Sequence, residues 1–316
     1  MGFLKKMFAL ERAIFFSVVA IAILAMLVSC KTETGDDIAF AKADSAKTTT
    51  AEKRNLSQEW KDYWYAGVAE ISSYKLDQAR YGELRAGTAA LIYVTEDFLP
   101  KKQVKADAQN DSNIPVLKLN ATKKFVTGIY PYSIMTSTFY PVTEKKHAIK
   151  VSQSTQEWCG HVYAQLNNRE NFEVTSHSYF QSEADQEMNL PKDILENELW
   201  TQIRLDPTSL PTGSFKAIPN LEFIRNSHID LAAYQATGSL NEGSYTIEYP
   251  ELKRTVNIQF TPEFPHTIEG WTETFPQGRD GALMTTTATK MKTIKSAYWG
   301  KKSIANEALR TELQLD

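Results

Sequence analysis

Residues 157–181 read EWCGHVYAQLNNRENFEVTSHSYFQ, and a single pairing of this stretch with itself sets the fold class. Setting Glu157–Leu166 against Phe172–Gln181 about Arg169 makes every paired position sum to 338. Trp158 then faces Phe180, Ala164 faces Val174 and Leu166 faces Phe172, which forms a core face. The opposite face carries Glu157–Gln181, Cys159–Tyr179, His161–His177, Tyr163–Thr175 and Gln165–Glu173. Side chains alternate along a strand, so a slip of one residue would mix the two sets.

The same reading extends in both directions. Strands are expected at 71–81, 88–95, 118–127, 133–140, 147–166 (with a break possible) and 172–181, then at 228–237, 244–249, 255–260, 267–274 and 284–294. The gaps hold turn-forming strings such as Arg85-Ala86-Gly87, Asn241-Glu242-Gly243 and Pro276-Gln277-Gly278. Short gaps join neighbouring strands as hairpins, so the sheet is an antiparallel meander. Two helices interrupt it. One opens at Pro191, stacks Leu195, Leu199 and Ile203 on one face, and stops at Asp206-Pro207. The other runs from Ser303 to Gln314 with Ile304, Ala308 and Leu315. The expected fold is mainly β, a β-rich α+β domain built on a wide, curved, half-barrel-like antiparallel sheet with two helices packed against it.

The domain begins near Trp60-Lys61-Asp62-Tyr63-Trp64. Before it, residues 30–54 are rich in Lys, Thr, Ala and Asp without an apolar period, which describes a tether. Residues 1–29 have a basic start (Lys5, Lys6, Arg12) and an apolar run from Ala13 to Val28, shorter than the roughly 20 residues of a spanning helix. Leu27-Val28-Ser29-Cys30 resembles a lipobox, in which the cysteine thiol receives palmitate-class acyl chains and becomes the N-terminus. The expected organisation is therefore a signal peptide over 1–29, a lipidated Cys30 with its tether over 30–54, and one globular domain over 55–316; the alternative is an uncleaved signal anchor. Lys31 after the cysteine, and the acidic Glu33, Asp36 and Asp37, resemble the sorting signals of lipoproteins bound for the bacterial outer membrane, on its periplasmic side or at the cell surface.

Composition sets further limits. With 35 Lys and Arg against 38 Asp and Glu, the net charge of −3 gives no basic field for nucleic acid. Loss of Lys5, Lys6, Arg12 and Glu11 with the signal would lower that charge to −5. The chain has two cysteines, so after lipidation of Cys30 only Cys159 remains, and a lone thiol in an oxidising envelope is expected to be shielded.

Three chemical readings are open at the 157–181 hairpin. Cys159 and His161 point the same way and could form a thiolate–imidazole pair, although no orienting group can be placed beside them. Cys159, His161 and His177, with Glu157 as fourth ligand or base, could hold zinc, although their spacing matches no standard zinc pattern. The plainest reading is a shielded thiol and two hydrogen-bonding histidines lining a sheet face. No phosphate-cradling glycine loop, Gly-x-Ser-x-Gly elbow or His-Glu-x-x-His helix occurs. Arg80-Tyr81-Gly82 could put a cation in a cleft or leave an exposed strand arginine.

The strings Gln78-Ala79-Arg80-Tyr81-Gly82-Glu83-Leu84-Arg85, Val94-Thr95-Glu96-Asp97-Phe98, Thr127-Gly128-Ile129-Tyr130-Pro131-Tyr132-Ser133, Gln156-Glu157-Trp158-Cys159-Gly160-His161 and Ser178-Tyr179-Phe180 resemble a family of uncharacterised bacterial envelope lipoproteins over most of residues 60–280. Members are sometimes labelled septum formation inhibitor Maf. Maf proteins are nucleotide pyrophosphatases with a Ser-x-Ser-x-x-Arg segment; the nearest string here, Ser152 to Glu157, ends on glutamate where arginine is needed, so that activity is not implied. The half-barrel is also similar in architecture to lipoprotein carriers and receptors that enclose acyl chains. The function expected from these readings is non-enzymatic: binding of an apolar ligand, lipid or lipoprotein, or of an envelope protein, on a concave face lined by apolar side chains. The zinc-dependent alternative would use Cys159, His161 and His177.

Overall fold

The computed structural model describes residues 53–315, and every structural statement below concerns them. The signal segment, Cys30 and the tether up to residue 52 lie outside the described residues.

Sixteen strands follow one another around a single curved sheet. The first nine are β1 (Ala69–Arg80), β2 (Glu83–Leu99), the short β3 (Val104–Lys105), β4 (Ile114–Thr127), β5 (Tyr130–Pro141), β6 (Lys150–Glu157), β7 (Gly160–Asn168), β8 (Phe172–His177) and β9 (Asp185–Leu190). The second run comprises β10 (Ile194–Leu195), β11 (Gly213–Ile218), β12 (Tyr234–Asn241), β13 (Ser244–Tyr249), β14 (Arg254–Phe260), β15 (Ile268–Gln277) and β16 (Ala282–Ser296). Across the sheet the order is β10 to β16, then β1, β2, β4 and onward to β9, with β3 pairing only β2. The first strand therefore pairs with the last, Ile71 opposite Ile294. The two outer strands, β9 and β10, are consecutive in sequence and do not pair with each other, so the sheet stays unclosed. All neighbours are antiparallel except β10 and β11.

The meander and its alternation are as the sequence implies, with instructive differences at the turns. Tyr81 (φ 56°) and Gly82 (φ 79°) both take left-handed backbone, the requirement of a tight two-residue hairpin loop. The chain reverses there, and Arg85-Ala86-Gly87, expected as a gap, lies inside β2. Gly87 is needed for close approach: a Cβ at this position would lie 2.2 Å from the Lys124 carbonyl oxygen of β4. The expected strand 147–166 is two strands, split by the turn Trp158-Cys159.

Four helices accompany the sheet: α1 (Gln58–Trp64), α2 (Glu196–Leu205), α3 (Leu221–Ser227) and α4 (Ala308–Glu312). The helix expected from Pro191 begins at Glu196, because Ile194 and Leu195 first pair with Ala217 and Ile218. The expected strand 228–237 begins only at Tyr234; His228 instead ends α3 in left-handed backbone. The helix expected over 303–314 is a 3-10 turn leading into the short α4.

Leu199 and Ile203 of α2 meet the concave wall formed by Leu91, Tyr93, Leu119, Ile258 and Trp271. Polar residues of α2 are buried as well, because the helix lies inside the curve of the sheet with wall on several sides. The charged ones all find partners. Arg254 of β14 makes two bonds to Glu196, at 2.5 and 2.7 Å, and one to Glu273 at 2.7 Å. Glu198 accepts from the Ala148 backbone N–H at 2.7 Å and pairs with His147 Nδ1 at 2.9 Å. Arg204 pairs with Glu70 of β1. A buried charge left unpaired is severely destabilising, so these contacts fix the depth and rotation of α2.

Candidate functional site

The 157–181 hairpin does not gather the expected groups. Across β7 and β8, Tyr163 faces His177 and Leu166 faces Val174, so pairs sum to 340 instead of 338. A shift of two preserves each face, and Val162, Ala164, Leu166, Phe172 and Val174 are buried as the alternation requires. It nevertheless moves His161 away from His177. His161 pairs with Gln156 on β6, and His177 bonds Asp185 Oδ1 at 3.1 Å. Cys159, expected to be shielded, is exposed in the turn, where its backbone N–H donates to Glu157 Oε2 at 2.7 Å. The Glu157 carboxylate pushes the thiol pKa up, which works against a thiolate nucleophile. Trp158, expected against Phe180 in the core, is 67% exposed and lies beside Tyr130. Among the described residues no three His, Cys, Asp or Glu side chains are placed to hold a metal.

The concave face is not the apolar groove that the sequence suggests. Helix α2 fills it, leaving an interior space of about 40 Å³ bordered by Lys123, Glu196, Glu222, Arg254 and Glu273. Lys123 bonds Glu222 of α3 at 2.9 Å, so ionised pairs line the interior and hold both helices to the wall.

The apolar cavity lies on the other side of the sheet. The C-terminal segment crosses the convex face of β16, β1, β2, β4 and β5 and leaves a half-open space of about 570 Å³ beneath it. Its floor is Ile71, Ile92 and Ile294, brought side by side because Ile71 pairs with both of the others. Ala90 and Met135 extend the floor, and Leu309, Leu313 and Leu315 form the roof. Leu313 is buried against Ala69, Ile71 and Val94 and so pins the roof down at one end. Exposed Lys124 and Lys301 border the cavity together with Asn120, Thr122 and Ser133. The arrangement suits an apolar chain carrying a polar or anionic end. One sequence signal marked the place: β1 begins with apolar residues on both faces, Ala69 and Ile71 outward and Tyr74 and Leu76 inward. A strand buried on both faces needs a cover on each.

A third space, of about 750 Å³, lies beside β9 and α3. Next to it Arg80 is buried, donating to the Asn226 carbonyl at 2.7 Å and to the hydroxyls of Tyr81 and Tyr132. The reading of Arg80 as an exposed strand arginine does not hold, since the side chain is 7% exposed.

No protein-family model matches the chain, and no curated protein does. Two solved structures are similar in outline. One is a β-barrel-like protein of domain of unknown function DUF1849 from Brucella abortus, at 7% identity and a TM-score of 0.42, over 73% of this chain and 98% of that one. The other is a porin-like protein from Bacteroides uniformis, at 9% identity and a TM-score of 0.20, over 70% of this chain and 95% of that one.

Proposed function

We propose that this protein is a lipid-anchored, non-enzymatic binding module of the bacterial outer membrane, and that it takes a single-chain amphiphile into the convex-face cavity. The observation that carries the reading is the isoleucine floor and leucine roof on either side of a half-open space of about 570 Å³, within the roughly 300–1,000 Å³ range of small-molecule sites. The acyl chain lies over Ile71, Ile92 and Ile294, and Lys124 and Lys301 face its anionic head. The lipobox-like Leu27-Val28-Ser29-Cys30 supports the anchor, and a protein held at a bilayer surface meets such ligands at high local concentration. The resemblance to envelope lipoproteins agrees with this reading. No specific observation favours the zinc alternative at Cys159, His161 and His177.

The test is native mass spectrometry of the chain from Lys31 onward, exported to a bacterial periplasm and purified without detergent. A retained mass of several hundred daltons, released on denaturation and absent from Ile92→Trp, supports the proposal. A bare chain that also fails to take up a fluorescent fatty acid refutes it.

A further inference from the structure

The 750 Å³ space has a different chemistry from the convex-face cavity. Four consecutive residues of β9, Asp185, Gln186, Glu187 and Met188, line it. Strand side chains alternate between faces, so a space touched by four in a row runs along the strand's edge. That edge is open: among the described residues β9 pairs with β8 alone. The far wall is α3 and the segment after it, through Leu221, Ile224 and Arg225. The space is thus a slot flanked by an unpaired row of backbone N–H and C=O groups, the geometry to which an added strand binds.

Two buried polar side chains border this slot with atoms that make no hydrogen bond. Arg225 is 8% exposed, yet its Nε and Nη1 make no hydrogen bond; its guanidinium lies over the Phe180 ring at 4.3 Å. Gln153 is 1% exposed, and its Oε1 accepts no hydrogen bond. Buried guanidinium N–H groups without an acceptor, here Nε and Nη1, cost free energy that an incoming anion recovers. Burial works against the charge on Arg225 and Arg80 opposes it further, while the Glu183 carboxylate offsets part of this. Glu183 is already engaged with His228 and Ser178. Asp185, which also bonds His177, and Glu187 and Asp230 leave the remainder of the slot acidic. Val162 and Ala164 supply an apolar floor that continues into the apolar wall of Leu221 and Ile224.

An anion at one point, cationic groups elsewhere, a strand-forming backbone and apolar side chains together describe one class of ligand. We infer that the slot binds the C-terminal end of an extended peptide, added as a strand to the free edge of β9, with its carboxylate on Arg225 and a basic side chain among Asp185, Glu187 and Asp230. Backbone bonds to β9 provide affinity, and the two charged contacts select free C-termini and basic sequences. This site and its ligand are separate from the amphiphile cavity.

The probe is a fluorescein-labelled hexapeptide mixture with a free carboxylate, one fixed lysine and apolar residues elsewhere, titrated by fluorescence anisotropy into the same periplasmic chain. Binding is expected, and the C-terminal amides of the same peptides should bind at least tenfold more weakly. Arg225→Met should abolish that difference while its Tm equals or exceeds that of the parent, because an unpaired buried charge has been removed. Asp185→Asn with Glu187→Gln should remove the preference for lysine over a neutral residue. Absence of binding by every free-acid peptide, equal binding of acids and amides, or unchanged selectivity in a folded Arg225→Met each overturns the inference.

Discussion

Arg204 grips Glu70 with two parallel hydrogen bonds, Nη1 to Oε1 at 2.6 Å and Nη2 to Oε2 at 2.8 Å, and both side chains are 1% exposed. This pair ties the last turn of α2 to β1, and the Arg204 guanidinium also lies over the rings of Trp64 and Tyr93. Removing either partner alone leaves a buried charge. Glu70→Leu or Arg204→Met should therefore cost about 3–5 kcal/mol in urea unfolding, whereas the double replacement should recover a large part of the loss. Additive single costs in the double mutant would show that the pair does not act as a unit.

Glu70 also gives the stability a pH dependence of known sign. Burial alone would raise its carboxyl pKa, but the charge and hydrogen bonds of Arg204 outweigh that and hold it below the ordinary value; Glu273 beside Arg254 behaves in the same way. A pKa depressed in the folded state stabilises the protein above the unfolded value of about 4.3, and the contribution is lost as pH falls through the folded value. Stability should fall steeply below about pH 4, and Glu70→Gln should flatten that limb of the curve. An acid limb unchanged in the variant would assign the effect to other carboxylates.

His147 acts at the opposite end of the scale. Burial lowers its pKa, yet the bond and charge of Glu198 prevail and raise it. A raised folded pKa stabilises fully below the unfolded value of about 6.5, and the gain is lost as pH rises through the folded value. The imidazole resonances of His147 should therefore titrate later than those of a model histidine, and Glu198→Gln should move them down. A titration at or below the ordinary histidine value of about 6.5 would contradict the pairing.

The roof of the convex cavity can be tested for packing and for access. Leu313→Ala removes the buried contact with Ile71 and Val94 and should cost about 2–3 kcal/mol. Ile92→Trp, which fills space without removing the roof, should leave Tm within a few degrees of the parent and reduce fatty-acid uptake at least tenfold. Full uptake by the filled variant would place the apolar ligand elsewhere.

Cys159 should react with a maleimide in the folded protein, because it lies exposed in its turn. Since Glu157 raises its pKa, Glu157→Gln should increase the rate at pH 7 severalfold. Labelling that required denaturant would show that the thiol is shielded after all.

What was legible in the sequence is the local part of this design. Alternation of apolar residues identifies the meander, and Leu199 and Ile203 mark α2, because those signals need only neighbours in the chain. Tight turns were harder to read: Tyr81 occupies left-handed backbone usually left to glycine or asparagine, and Trp158-Cys159 has none of the usual turn chemistry. Helix α1 did carry a signal, Ser57 as its cap with Trp60 and Trp64 buried one turn apart, which the aromatic richness of the stretch obscured. The filled interior had no sequence signature. Glu198 and Arg204 look like solvated positions of an amphipathic helix and Glu196 like a solvated acid of its first turn, and their partners His147, Glu70 and Arg254 are too distant in the chain for any periodicity to join them. The register shift from His161–His177 to Tyr163–His177 follows from the same limit, since either pairing keeps the apolar residues together.

The pairing of β1 with β16 imposes an order on the protein's birth. Strand β1 emerges early from whichever machine makes or exports the chain, but one of its two edges stays bare until Ser296 is available. The nascent molecule must therefore stay an incomplete ribbon while everything between Arg80 and Ala282 is made, with an edge able to recruit a second copy. A holding chaperone, or rapid completion of the last strand, matters more for this topology than for a meander whose ends lie at opposite edges.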